Sequence, residues 1–218
     1  MAFENNEFLF KSTPHTMSTP ADSNYLEPVS RDSLWTLEKY SKLRPAFRSA
    51  VIAHKKVRTV LLGNHVSLLF EDTLTVRYQI QEMLRIEKTF EDEGIQDELD
   101  AYLPLLPTGC NLKATMMIEY PMVEERVAAL KRLKGIEHKV YVQVEGATKV
   151  FAIADEDLPR SNDEKTSAVH FMRFELSEDM VKALKYGVTL AVGIDHPLYE
   201  QHKELALEVR ASLVSDLS

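Results

Sequence analysis

The chain has 218 residues, 44% of them hydrophobic and 28% charged. That is ample apolar material for one globular domain, or one domain with an arm. The formal net charge of −8 argues against a general binder of nucleic acid or anionic membrane, because phosphate contacts need clustered Lys and Arg. A single cysteine, Cys110, excludes a disulfide framework within the chain and a cysteine-ligated zinc or iron–sulphur cluster, and it fits a reducing cytoplasm.

Residues 1–28 read as a flexible arm, rich in Ser, Thr, Pro and Asn and interrupted by Pro14, Pro20 and Pro28. Phe3, Phe8, Leu9 and Phe10 are the exception, an apolar group suited to docking on the body or on a partner. The start, MAFENNEFLF, carries acids rather than a basic region and does not read as a secretory signal. No apolar run approaches the ~18 residues of a membrane span. Residues 29–218 form the expected single domain.

Ser33 caps a first helix containing Leu34, Trp35, Leu37 and Tyr40, and Pro45 opens a second with Phe47, Val51 and Ile52 on its apolar face. His54-Lys55-Lys56-Val57-Arg58 reads as a solvated helix end whose cations complement the dipole, rather than a phosphate site. Val57–Leu62 and Val66–Phe70 are strands of a hairpin turning at Gly63-Asn64. A long helix from Thr73, capped by Asp72 or Thr73, ends at Glu93-Gly94. Ile95–Leu103 is a short helix stopped by Pro104 and Pro107. Lys113–Tyr120 is a strand, and Val123–Leu133 a helix ending at Gly135. Lys139–Val144 and Lys149–Ala154 make a second hairpin around Gly146. Asp155–Ser167 is a polar loop and Ala168–Leu176 a strand. Ser177–Tyr186 is a helix closed by Gly187. Thr189–Ile194 is a strand and Lys203–Leu213 the last helix. This order predicts an α+β fold, a mixed and largely antiparallel sheet with helices packed on it.

Familiar catalytic signatures are missing. There is no GxGxxG and no GxxxxGK[ST], hence no NAD or ATP loop, and no iron–sulphur motif. GxSxG, HExxH and a Glu followed three residues later by His are absent too. Cys110, after Pro107-Thr108-Gly109, reads as incidental.

Three places set polar side chains on otherwise apolar elements. On the helix from Thr73, Val76, Ile80, Met83, Leu84, Ile86 and Phe90 share an apolar arc at 100° per residue, into which Gln79 and Glu87 project. Arg77, Gln81, Arg85 and Lys88 form a basic line, with Tyr78 and Glu82 beyond it. Such a line grips a carboxylate or phosphate, or else pairs with Glu71, Asp72 or Glu175 to hold sheet to helix. On the strand AVHFMRFE, Phe171, Arg173 and Glu175 share one face and His170, Met172 and Phe174 the other. His170 is then a metal ligand, a general base, or a core histidine satisfied by one hydrogen bond. Asp195-His196 closes a strand before Pro197, where the pair could ligate a metal or simply serve the turn. The acidic Asp155-Glu156-Asp157 suits either a divalent cation or a solvated loop.

The phrases LLFEDTLTVRYQIQEMLRIE, GIQDELDAYLPLLP, KATMMIEYP, AIADEDLPRSNDEKTSAVHFMRFEL and VGIDHPLY resemble a bacterial domain-of-unknown-function family, the one numbered three-five-zero-one. The resemblance spans about Ser30 to Leu213. It implies a cytoplasmic domain without assigned activity. It also implies neighbours, a rubrerythrin and an iron–sulphur oxidoreductase of the glycolate-oxidase type, and so a link to redox or peroxide defence.

The reading that follows is a non-redox accessory or ligand-binding factor for such a system. Its site would lie where the helix of Arg77, Tyr78, Gln81, Glu82 and Arg85 meets the strand of His170 and Arg173 and the turn of Asp195 and His196. One alternative is a small enzyme using a divalent metal on His170, His196 and Glu82 or Asp195, with Tyr78 or Arg77 acting on substrate. Another is a structural interaction module.

Overall fold

The computed structural model describes residues 27–162 and 164–218. A 3₁₀ turn, Arg31–Ser33, leads into α1 (Leu37–Lys56), whose Thr36 hydroxyl accepts from the Lys39 amide. The break expected at Pro45 does not occur, because Pro45 lies inside α1. Tyr40, Phe47 and Val51 on the buried face pack with Trp35, whose ring meets Phe47 edge-on at 5.0 Å. That aromatic cluster spans both sides of the proline and offsets its missing N–H.

Next come β1 (Thr59–Leu62), β2 (Val66–Phe70) and α2 (Thr73–Glu87). Asp72 and Thr75 form a reciprocal capping box at the start of α2. The helix stops earlier than expected, at Lys88 in the left-handed conformation, and Gly94 falls inside α3 (Asp92–Tyr102). A 3₁₀ turn, Leu103–Leu105, leads to β3 (Asn111–Ile118) and α4 (Val123–Arg132). Then follow β4 (Val140–Val144), β5 (Val150–Phe151), β6 (Ile153–Ala154), β7 (Val169–Glu175), α5 (Glu178–Lys185), β8 (Leu190–His196), β9 (Tyr199–Glu204) and α6 (Leu207–Val214). Strand β9, YEQHKE, was not expected, and the last helix begins at Leu207 rather than Lys203. It is an edge strand paired on one side only, so its composition is polar and its alternation faint.

The fold is α+β. The largely antiparallel pairing expected is found, divided over two sheets in which every strand pair is antiparallel. One has the order β1-β2-β3-β7-β6, the other β5-β4-β8-β9. The chain changes sheets at Ala152, between β5 and β6. At the opposite edges, β9 reaches β1: the Tyr199 hydroxyl donates to the Leu62 carbonyl at 2.6 Å and Lys203 Nζ to that of Leu61 at 3.3 Å. Gly63 turns this corner at a φ of +66°, and a Cβ there would stand 2.6 Å from the Tyr199 oxygen. The strands thus wrap one interior, filled by residues such as Leu68, Phe70, Met116 and Phe174 from one sheet and Val140, Val142, Val192 and Ile194 from the other.

Helices α1 to α3 stand outside the five-stranded sheet. Arg58, at 0% exposure, ties them to the C-terminus. Its guanidinium donates to the carbonyls of Phe70, Glu71 and Ser212 at 2.9 to 3.1 Å, lies 3.4 Å from Asp72 and pairs with Asp216. Of the basic end of α1, Lys56 is exposed, while His54 is engaged by Asp72 and Lys55 lies over Tyr78. Removing one partner of a buried pair leaves the others unsatisfied. Arg58→Ala is expected to cost about 3–5 kcal/mol, measured by urea unfolding. A loss below about 1 kcal/mol, the range of an exposed pair, would refute the role assigned to it.

Candidate functional site

The polar line of α2 is placed together by the structure, but against the protein itself. Arg77, 1% exposed, donates to the Ser33 carbonyl at 2.6 Å and the Glu27 carbonyl at 2.8 Å. Gln81 brackets the Trp35 backbone, accepting from its amide at 2.8 Å and donating to its carbonyl at 3.2 Å. Glu82 accepts from the Tyr40 hydroxyl at 2.7 Å and from two nitrogens of Arg44, both at 2.7 Å. Arg85 adds weaker contacts to Glu82, and Tyr78 packs on Phe47 with Lys55 above its ring. The grip is on residues 27–55 and not on a ligand. The Arg44 pair outweighs burial and holds the Glu82 carboxyl down at about 2, whereas burial, then Glu82, pushes the Tyr40 hydroxyl up.

His170 faces the interior with Met172 and Phe174, as the alternation required, at 0% exposure. Its neighbours are less apolar than expected. Nδ1 lies 2.6 Å from Asp155 Oδ2; Nε2 lies 2.9 Å from the Thr166 hydroxyl and 3.1 Å from the Ser167 carbonyl. Thr166 in turn donates to Glu137 at 2.9 Å, which also accepts from Ser161. Burial pushes the Glu137 carboxyl up, but these hydroxyls, its own amide and His170 hold it lower still, below its ordinary value. This closed chain pins the 155–167 loop to the strand. The same loop uses Asp155 and Asp157 on Arg160, and Glu156 on Arg173.

Asp195 and His196 point to opposite faces, as neighbours on a strand must. His196 is buried, accepting from the Leu198 amide at 3.2 Å, while Asp195 is outside with Lys149 at 3.1 Å. Arg173 is on the outer face, paired with Glu156 and Glu175. The structure does not bring the α2 line, His170 and the Asp195-His196 turn into one site. His170, His196 and Glu82 are each engaged separately, and among the described residues no group of three His, Cys, Asp or Glu is arranged to hold a metal ion. Cys110 is exposed, with its sulphur 3.3 Å from Glu175.

The candidate site lies elsewhere, on the outer face of the five-stranded sheet beneath α2, α3 and the turn after α3. Strand register sets its rows. Arg173 stands opposite Lys113; Phe171 stands opposite Thr115, which stands opposite Leu69; Val169 stands opposite Met117. Two cavities of about 250 and 280 Å³ adjoin here and share Leu105 and Phe171 as walls. The first holds Lys113, Arg173, Glu156 and Asp157 around Ile153, Pro104 and Phe171. The second has Leu69, Val76, Met117 and Val169 around Glu71, whose carboxylate accepts from the hydroxyls of Thr75 at 2.5 Å and Thr115 at 2.6 Å. Burial, then the charge of Arg173, pushes the Lys113 ammonium down. Of the residues singled out in the sequence, Arg173, Gln79 and the acidic-loop residues Glu156 and Asp157 line this groove. The outward parity of Lys113, Thr115 and Met117 was readable from KATMMIEY, but nothing in the sequence placed a helix pair above them.

A family described as "Protein of unknown function (DUF3501)" matches residues 28–217. The chain is 56% identical to a crystal structure described as a novel protein of unknown function from Burkholderia pseudomallei K96243. That match covers 87% of this chain and 99% of that one with a TM-score of 0.84. No curated protein matches. Among the described residues no helix is long and apolar enough to cross a membrane.

The α2 clamp has a pH signature. The Glu82 carboxyl is depressed from 4.5 to about 2 in the fold, so its contribution is complete above pH ~4.5 and is lost as pH falls towards 2. Urea unfolding between pH 7 and 2.5 should show the wild type losing stability more steeply than Glu82→Gln. At pH 7 the variant should be roughly 1–3 kcal/mol less stable, for a charge-assisted hydrogen-bonded pair whose carboxylate is largely covered and whose Arg44 is partly exposed. Parallel acid limbs for the two proteins would contradict the clamp.

Proposed function

Since the chain belongs to the DUF3501 family of proteins of unknown function, we propose a function built on the groove: the protein binds a small organic molecule with an apolar body and one polar end. The observation that carries this reading is the pair of adjoining cavities walled by Leu105 and Phe171. Together they fall in the range of small-molecule sites, mostly apolar with a few convergent polar groups. Phe171, Leu69, Met117 and Val169 take the body. Lys113 takes the polar end, while Arg173 beside it is already neutralised by Glu156 and Glu175.

A cytoplasmic accessory role for a rubrerythrin-like or iron–sulphur oxidoreductase partner rests on the resemblance alone. In this reading the groove would carry or sense a small molecule for that system. A metal-dependent enzyme would need His170, His196 and Glu82 or Asp195 around one ion, and no contact of these residues favours it.

The test uses 1-anilinonaphthalene-8-sulfonate, an aromatic body with one anionic end. The full-length protein should bind about one equivalent while its circular dichroism stays native. Leu105→Trp, which fills the junction, and Phe171→Ala, which removes the floor, should each weaken binding at least about tenfold, or ~1.4 kcal/mol. Unchanged affinity in both folded variants would reject the groove.

A further inference from the structure

Lys113 is the cation of the first cavity that the ion pairs of the fold do not use. It projects from the middle of β3 onto the outer face, directly opposite Arg173 in the register. Three exposed lysines pair with carboxylates, Lys42 with Glu38, Lys149 with Asp195 and Lys182 with Glu178. Lys113 lines the first cavity, is partly buried, and among the described residues its ammonium makes no hydrogen bond or close ion pair. The acids around it have partners of their own: Glu156 forks onto Arg173 with two bonds of 2.8 Å, Glu175 takes the remaining side of the same guanidinium, Asp157 holds Arg160, and Asp100, across the cavity, accepts from Gln96 at 2.7 Å. Burial is the larger cause, with the Arg173 charge added, and together they outweigh the opposing pull of Glu156 and Glu175, so the amine loses part of its preference for the proton. Apolar walls stand around it, Ile153, Pro104, Leu105 and Phe171.

We propose that Lys113 is a carbonyl-capturing amine, and that the molecule taken up by the groove is an aldehyde or ketone with an apolar body. This rests on the groove reading above and specifies its polar end. The Nζ lone pair bonds to the carbonyl carbon, and the π pair of the C=O bond moves to oxygen, which takes a proton. The resulting carbinolamine loses water as the C=N bond forms. No electrons are exchanged with a third party, protons pass to and from water, and hydrolysis returns the free amine and the carbonyl compound. Phe171 and Leu105 hold the chain of the ligand, so its carbonyl end is delivered to Nζ rather than to the lysines outside the groove.

The experiment is reductive trapping on the full-length protein with hexanal and cyanoborohydride at pH 7, read by peptide mass spectrometry, the other lysines serving as internal controls. Lys113 should be alkylated at least about tenfold faster than exposed Lys42 and Lys185, and 1-anilinonaphthalene-8-sulfonate should suppress that excess. Labelling of Lys113 no faster than these two overturns the proposal, and the wild-type protein alone decides it. Lys113→Arg, with native circular dichroism, should lose the fast site yet still bind the sulfonate. If the sulfonate binds but Lys113 shows no excess, carbonyl capture fails and the groove stands as a charge-reading site. If neither binds, the groove reading fails with it.

Discussion

Closure of the two sheets around one core is the constraint from which the rest follows. The chain crosses from one sheet to the other at Ala152, and Tyr199 and Lys203 join the far edges through the carbonyls of Leu62 and Leu61. Inward positions then face one another from all sides, and aliphatic and aromatic side chains fill them. The inward positions of β2, β3, β4, β7 and β8 are buried. His170 and His196, both inward, are consequently held by hydrogen bonds to the protein's own loops, in keeping with the rule that a buried polar group must be satisfied internally.

A second consequence is that the conspicuous polar residues of the helices serve assembly. α2 has one side towards the outer sheet face and another towards residues 27–55. Arg77 and Gln81 bind mainly main-chain carbonyls and an amide of the 27–35 segment, a stretch with little regular structure and hence many free backbone groups to satisfy. Glu82 holds α1 through Tyr40 and Arg44. Arg58 does the same for the ends of β2 and α6, with three carbonyls and Asp216 around one guanidinium. A planar fork of five donors suits such places, where several acceptors converge from different segments.

What is left for recognition is the outer face of β2, β3 and β7, covered incompletely by α2, α3 and the turn after it. The antiparallel register sorts that face into a charged row, Arg173 and Lys113, then rows built on Phe171, Thr115 and Leu69 and on Val169 and Met117. The polar end and the apolar floor of the groove are thus a direct product of strand pairing. The 155–167 loop, pinned from inside by Asp155 and His170, sets Glu156 beside Arg173 on the outside. The buried chain supports the groove without entering it.

Much of the secondary structure was legible in the sequence because it depends on neighbours a few residues apart. The Asp72 cap, the Ser177 cap, the Gly63-Asn64 hairpin and the alternation of 168–176 all belong to that local class. The break expected at Pro45 and the missed strand β9 depended on partners far along the chain: the Trp35 cluster in one case, β8 in the other. The candidate site lay further out of reach. Unpaired polar residues on apolar elements look alike in sequence whether they hold a ligand or hold the protein, and Arg77 and His170 hold the protein. The sequence by itself determined the α+β class, the helix starts at Thr73, Val123 and Ser177 and which residues of each strand share a face, since these follow from backbone periodicity and short-range hydrogen bonds. Only the tertiary structure decided which faces are filled, that Lys113 stands beside Arg173, and that two helices leave a groove above Phe171, because these depend on strand register and on packing between segments up to a hundred or more residues apart.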